Sequence, residues 1–167
     1  GVGEPDFNTP ANIREAANQA MADGHTKYTP GRGTLELREA IITKLKRDNN
    51  LDYTPDQIVV SNGAKHSLNT LCQAVINPGD EVIIFTPYWV SYPEFVRLAD
   101  GVPITVNTIA SDNFTPDWDD LERKVSSRTS AVILNSPSNP TGSCYTKEDI
   151  QELSKILIKN KRAGSRI

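Results

Sequence analysis

Strands alternating with helices, with loop-rich stretches where the strands end, predict an α/β fold: a mainly parallel sheet flanked by helices. Three observations carry this expectation. The runs Gln57–Ser61, Glu81–Phe85, Val102–Asn107 and Ser130–Leu134 are short and rich in β-branched residues, as strands are. Between them lie stretches whose apolar residues recur at helical spacing. Finally, Ser61-Asn-Gly-Ala-Lys-His66, Thr86-Pro-Tyr-Trp-Val-Ser-Tyr92 and Asn135-Ser-Pro-Ser-Asn-Pro-Thr-Gly142 each follow a strand. Ligands in such sheets sit beyond the carboxyl ends of the strands, so these loops are where chemistry is expected.

The elements follow in chain order. Thr9 and Pro10 read as an N-cap and a first-position proline. Ile13, Ala16, Ala17, Ala20 and Met21 keep helical spacing behind them, and Gly24 suits the helix end. The loop Tyr28-Thr-Pro-Gly-Arg-Gly33 leads to a second helix from about Thr34 to Asp48. After the first strand, Leu68, Leu71, Cys72, Val75 and Ile76 form the buried stripe of a third helix, closed by the turn Asn77-Pro-Gly-Asp80. Further helices are expected near Val90, Thr115-Pro116 and Thr146. In the last, Thr146 and Asp149 stand at capping-box spacing, with Asp in place of Glu.

Composition narrows the class. Of 167 residues 37% are hydrophobic and 23% charged, too apolar a balance for a disordered chain. The length suits one domain or a piece of a larger one. A net charge of -3 and a pI near 5.4 argue against nucleic acid or an anionic membrane as the main partner. No apolar run approaches the ~20 residues of a membrane span, and no signal-peptide pattern opens the sequence. Cys72 and Cys144 match no metal or redox spacing. Cys72 falls on an apolar helix face and reads as a buried thiol, compatible with a cytoplasmic protein. His25 and His66 lack ligand-spaced partners and read as structural or exposed, so no metal site is expected.

Each strand-end loop has two readings. Gly63, Ala64 and Lys65 open a helix, where backbone N–H groups and the helix dipole favour a phosphate; a tight turn eased by Gly63 explains the same residues. Trp89 offers a π face to a flat heterocycle, or caps the core beneath its loop. Asn139 carries an amide able to donate to a ring oxygen, or belongs to a proline-rich turn.

Taken together, the stretches Gly1-Val-Gly-Glu-Pro-Asp-Phe7, Tyr28-Thr-Pro-Gly31, Ser61-Asn-Gly-Ala-Lys65, Pro87-Tyr-Trp-Val-Ser-Tyr92 and Asn135-Ser-Pro-Ser-Asn-Pro-Thr-Gly142 resemble the aspartate aminotransferase family. These are class I/II aminotransferases of fold type I, which use pyridoxal 5'-phosphate (PLP). The resemblance runs from residue 1 to about residue 160. It implies a segment 1–33 with a substrate-side loop and a dimer-contact loop, an incomplete large PLP-binding domain over 34–160, and a tail, 161–167, that departs from the family.

The resemblance also implies roles. Gly3 would lie beside the substrate carboxylate. Tyr28 would reach across a homodimer interface towards the partner's cofactor phosphate. Gly63, Ala64 and Lys65 would border the phosphate, Trp89 would stack on the pyridine ring, and Asn139 would bond its phenolic oxygen. Lys65 would also attract an acidic substrate side chain; the plainer reading is a solvated lysine at a helix start. On the substrate side Trp89 and Asn139 join Gly3 and Lys65.

The implied reaction is a ping-pong amino transfer between an amino acid, aspartate or a similar acidic one, and a 2-oxo acid. The family's Schiff-base lysine stands well beyond Asn-Pro-Thr-Gly and has no counterpart among these residues. The chain therefore resembles an internal fragment without a catalytic residue of its own. Two alternatives remain open: other PLP chemistry or substrates in the parent enzyme (a lyase, or an aromatic or prephenate aminotransferase), and a non-catalytic fragment.

Overall fold

The computed structural model describes residues 3–162. They fall into two compact units, divided between Ser61 and Asn62. Gly1, Val2 and the tail residues 163–167 lie outside the described residues.

The first unit holds helices α1 (Ala11–Ala22) and α2 (Leu35–Asn49). Pro10, not Thr9, is the N-cap of α1: its carbonyl accepts the N–H groups of Ile13 and Arg14. The apolar spacing of α1 is present but uncovered, with Ile13 and Met21 both exposed. Thr34 caps α2 by accepting the Leu37 N–H at 3.3 Å. Asn50 ends it in the left-handed conformation, φ 53°, as a short polar side chain tolerates.

The expected strand Gln57–Ser61 does not form. A 3-10 turn, Pro55–Gln57, opens the segment, and the rest is irregular. A strand is defined by a ladder, and here the Val60 N–H finds one carbonyl, that of Arg32, at 3.0 Å. Ile58 is buried and Val59 exposed, so the alternation of a strand is there without the pairing.

The second unit is the α/β fold. Its strands are β1 (Glu81–Phe85), β2 (Val102–Val106), β3 (Thr108–Ile109), β4 (Thr115–Pro116) and β5 (Thr129–Ile133). Its helices are α3 (Gly63–Val75), α4 (Tyr92–Leu98), α5 (Trp118–Lys124) and α6 (Lys147–Arg162). The main sheet is parallel, in the order β2-β1-β5. All of β1 is buried, which is why its sequence is a continuous apolar run after Glu81. Its side chains still alternate. Val82 and Ile84 join Cys72, Ile76, Tyr92, Phe95 and Val96, from α3 and α4, on one face. Ile83 and Phe85 join Leu121, Leu153 and Ile156, from α5 and α6, on the other.

Two expectations need correction here. Of the anticipated stripe on α3, Cys72 and Ile76 are buried, but Leu71 and Val75 are more than half exposed. The i, i+4 line through Leu68 faces the sheet, and the flanking i+3 positions do not. The helix expected near Thr115-Pro116 starts later, at Trp118, because Thr115-Pro116 itself pairs antiparallel with Thr108–Ile109. Asn113 and Phe114, both at positive φ, reverse the chain before it. Asp117 then caps α5, accepting the Asp120 N–H at 2.9 Å. The capping box at α6 is present: Thr146 donates its N–H to Asp149, and the Asp149 N–H returns to Thr146 Oγ1.

Two buried carboxylates tie the layers together. Glu81 Oε1 accepts from Arg128 Nε at 2.9 Å, and its Oε2 from Ser126 Oγ. Asp120 Oδ2 accepts the Asn107 N–H at 3.0 Å and the Lys124 ammonium at 2.6 Å.

Candidate functional site

From β1 the chain crosses to β2 on one side, and β5 then lies on the other. The strand order therefore reverses between β1 and β5, and a crevice opens beyond their carboxyl ends. Pro87, Tyr88, Tyr92, Asn135, Asn139 and Tyr145 line it.

The loop after β1 is held at its root. The Thr86 N–H donates to the Val106 carbonyl at 2.9 Å, prolonging the ladder by one residue. Thr108 Oγ1 donates to the Thr86 carbonyl at 2.5 Å. Trp89 then packs edge-to-face on Tyr92, with ring centres 5.5 Å apart, and on Phe95, 5.9 Å apart. The indole is half-buried and held by this cluster.

The start of α3 faces this indole. Gly63 adopts φ 76°, a left-handed conformation that side chains resist. A Cβ there would meet nothing within 4 Å, so conformation and not space calls for the glycine. Asn62 supplies no side-chain cap, and no acidic residue stands in the first turn. The leading N–H groups thus keep the partial positive charge of a helix N-terminus. The Lys65 ammonium adds a full charge and lies 5.4 Å from the centre of the Trp89 ring.

The loop after β5 closes on itself. Asn135 Oδ1 accepts the backbone N–H of Asn139 at 2.8 Å. Ser138 and Ser143 are joined through a backbone bond of 2.8 Å, and the Gly142 N–H returns to the Ser138 carbonyl at 2.8 Å. The Tyr145 N–H donates to Ser136 Oγ at 3.2 Å. Asn139 stays exposed at the crevice. Beneath it, burial pushes the Tyr145 phenol above its ordinary range, and the Asp149 carboxylate and Tyr92 add to the shift. Burial raises Tyr92 as well. Tyr92 and Tyr145 thus add aromatic surface to the crevice lining.

Of the residues singled out in the sequence, Gly63, Ala64, Lys65, Trp89 and Asn139 all belong to the second unit. Lys65 and Trp89 are brought into contact, and the Trp89 and Asn139 loops border one crevice. Gly3 and Tyr28 belong to the first unit and are exposed. Thr108, Asn135 and Tyr145 were not singled out. Asn135 had a readable signal, a second Asn four residues before Asn139 in a proline-rich loop. Among the described residues no cluster of three His, Cys, Asp or Glu side chains could hold a metal. None of their helices is long and apolar enough to cross a membrane.

A parallel sheet covered by helices on both faces, with a crevice at its switch point, defines an open α/β domain. The family model for aminotransferase class I and II matches residues 1–162, and the chain belongs to that family. An aspartate aminotransferase of Bacillus sp. (strain YM-2) is 52% identical over 160 residues, covering 96% of this chain and 41% of that protein. The aspartate/prephenate aminotransferase of Thermus thermophilus is 48% identical over 159 residues, covering 95% and 41%. Among solved structures, the aspartate aminotransferase from Thermus thermophilus with maleate superposes with TM-score 0.89 at 47% identity, over 95% of this chain and 41% of that one. The aromatic aminotransferase from Pyrococcus horikoshii gives 0.90 at 42%, over 96% and 43%. The chain thus spans about two fifths of the length of the curated relatives it matches.

Proposed function

We propose that this chain supplies cofactor-facing loops of a PLP-dependent aminotransferase acting on aspartate or a similar acidic amino acid and a 2-oxo acid. The observation that carries the reading is the Lys65–Trp89 contact. It joins an uncapped, cationic helix start to a held aromatic face. An anionic phosphate fits the first, and a pyridine ring fits the second.

In this reading the N–H groups around Gly63, Ala64 and Lys65 hold the phosphate, and the helix dipole supports its charge. Trp89 fixes the plane of the ring. Asn139 donates its amide to the phenolic oxygen, which orients the ring about the axis the stack leaves free. PLP, when bound, draws electrons from the Cα–H bond of the amino acid. Lys65 presents its ammonium to an acidic substrate side chain, with Trp89 and Asn139 bordering the same space. Gly3 lies against the substrate carboxylate, and Tyr28 serves the phosphate of the second subunit in a homodimer. Cytoplasmic residence and the division of the chain into segments 1–33, 34–160 and 161–167 belong to the same proposal.

No lysine here is assigned the Schiff-base role. Lys155 and Lys159 stand on α6, paired with Glu152 and Glu122, and Lys65 lies over Trp89. We assign this chain's residues cofactor binding. An aromatic or prephenate-type substrate is the second reading, favoured by the names of two proteins it is similar to.

Two measurements test this. Trp89→Ala is expected to weaken PLP retention read by absorbance, and unchanged retention would reject the stack. Borohydride reduction of the chain with PLP is expected to leave no single stoichiometric pyridoxyl-lysine. One specific adduct would overturn the absence of a Schiff-base lysine.

A further inference from the structure

We infer that Asn135 is the positioning residue of the site: its side chain sets where Asn139 presents its amide. The inference rests on the assignment of Asn139 to the cofactor's phenolic oxygen. It adds a residue that touches neither cofactor nor substrate in that assignment.

A chain leaving β5 at Ile133 has to turn within a few residues to return Asn139 to the crevice. Backbone bonds close the far side of this loop, from Ser138 to Ser143 and from Gly142 to Ser138. They fix the 138–143 segment on itself but do not tie it to the strand. Ser136 takes the Tyr145 N–H, fastening the loop's exit. The tie between the strand end and Asn139 is the Asn135 carboxamide oxygen, which accepts the Asn139 N–H at 2.8 Å.

The choice of residue is also physical. Position 135 is half-buried and directly follows an apolar run, and its carboxamide oxygen has the Asn139 N–H as its partner. Reaching four residues ahead takes a short side chain that carries an acceptor oxygen. Asn and Asp provide one; Leu, Val and Ala do not. The bond engages the backbone N–H of Asn139, so it restrains that residue's main chain while leaving its side-chain amide for a ligand.

The test separates this inference from the assignment it rests on. The 15N-labelled chain is compared with Asn135→Ala, Asn135→Asp and Asn139→Ala. The first readout needs no cofactor: exchange of the Asn139 amide proton. Asn135→Ala is expected to abolish its protection, and Asn135→Asp, which keeps the oxygen, to restore it. Equal protection in the wild type and Asn135→Ala would overturn the inference whatever the cofactor does.

The second readout compares binding of PLP with that of its 3-deoxy analogue, which lacks the phenolic oxygen. The wild type is expected to prefer PLP by about tenfold, the scale of one hydrogen bond to a charged acceptor. Asn139→Ala and Asn135→Ala are both expected to lose that preference, and Asn135→Asp to recover most of it. If Asn139→Ala loses it and Asn135→Ala keeps it, the inference fails while the assignment of Asn139 stands. If the wild type shows no preference, the Asn139 assignment fails and the functional part of the inference falls with it.

Discussion

The Lys65 ammonium lies 5.4 Å from the centre of the Trp89 ring, joining the first turn of α3 to the loop that follows β1. Such a contact is worth about 0.5–1 kcal/mol at an exposed site. Its larger consequence is spatial: the ammonium lies over the indole proposed to stack on the cofactor.

This contact is visible in the emission of Trp89. In a Trp118→Phe background, which leaves Trp89 as the sole indole, Lys65→Met is expected to change the intensity and position of the emission. Lys65→Arg, which keeps a cation over the ring, is expected to change them less. Superimposable spectra for all three would place the ammonium away from the indole.

Gly101 precedes β2 at a crowded point. A Cβ there would meet Ile76 Cγ2 at 2.7 Å, Val96 Cγ1 at 3.0 Å and the Asp80 carbonyl at 3.2 Å. Gly101→Ala is expected to cost about 1–3 kcal/mol as the core shifts to admit it. Gly31→Ala, with nothing within 4 Å, is expected to stay within about 0.5 kcal/mol. Urea midpoints decide; equal midpoints for the two variants would contradict the packing described.

Asp120 gives the fold a pH dependence with a definite sign. Its hydrogen bond with Lys124, followed by that from the Asn107 N–H, holds its carboxyl below the usual range. A carboxylate whose folded pKa is depressed stabilises the fold above its unfolded value, about 3.9. That stability is lost as the pH falls through the folded value. Asp120→Asn is expected to be less stable than the wild type at pH 7, with the gap closing at acid pH. A gap that stays constant down to pH 2 would show that the charge of Asp120 is not involved.

Thr146 and Asp149 close the capping box of α6, with the Asp149 N–H reaching Thr146 Oγ1 at 3.1 Å. Thr146→Ala is expected to cost about 1 kcal/mol, read as an earlier thermal transition by circular dichroism. Thr146→Ser, which keeps the oxygen, is expected to lose less. An unchanged transition in Thr146→Ala would mean the cap contributes nothing.

How much of this could be read from residues alone depends on how local each cause is. Glu81–Phe85 was legible because a strand buried on both faces must be apolar throughout. Thr146 was legible because a cap is written within four positions. Gln57–Ser61 misled, since its β-branched residues give strand propensity but cannot supply a neighbouring ladder. Thr115-Pro116 misled for a related reason: the pairing with Thr108–Ile109 outweighed an N-terminal signal, and Asp117 served as the cap instead.

The site divides in the same way. Trp89, Gly63 and Asn139 stand out by residue type and by their place after a strand. Their supports do not. Thr108 lies 22 residues from the Thr86 carbonyl it holds, and only the parallel pairing of β1 with β2 brings the two together. The Lys65–Trp89 contact joins a helix start to a strand-end loop and depends on α3 and α4 packing on the same face of the sheet.

The two cysteines give this architecture its own clock. Cys144 is exposed, while Cys72 lies on the sheet-facing side of α3 with its thiol pushed up by burial. A disulfide reagent in native buffer therefore titrates one equivalent promptly, and the second only as fast as α3 lifts from the sheet. The lag between the two equivalents times the opening of the helix whose first turn carries Gly63, Ala64 and Lys65, with no ligand required.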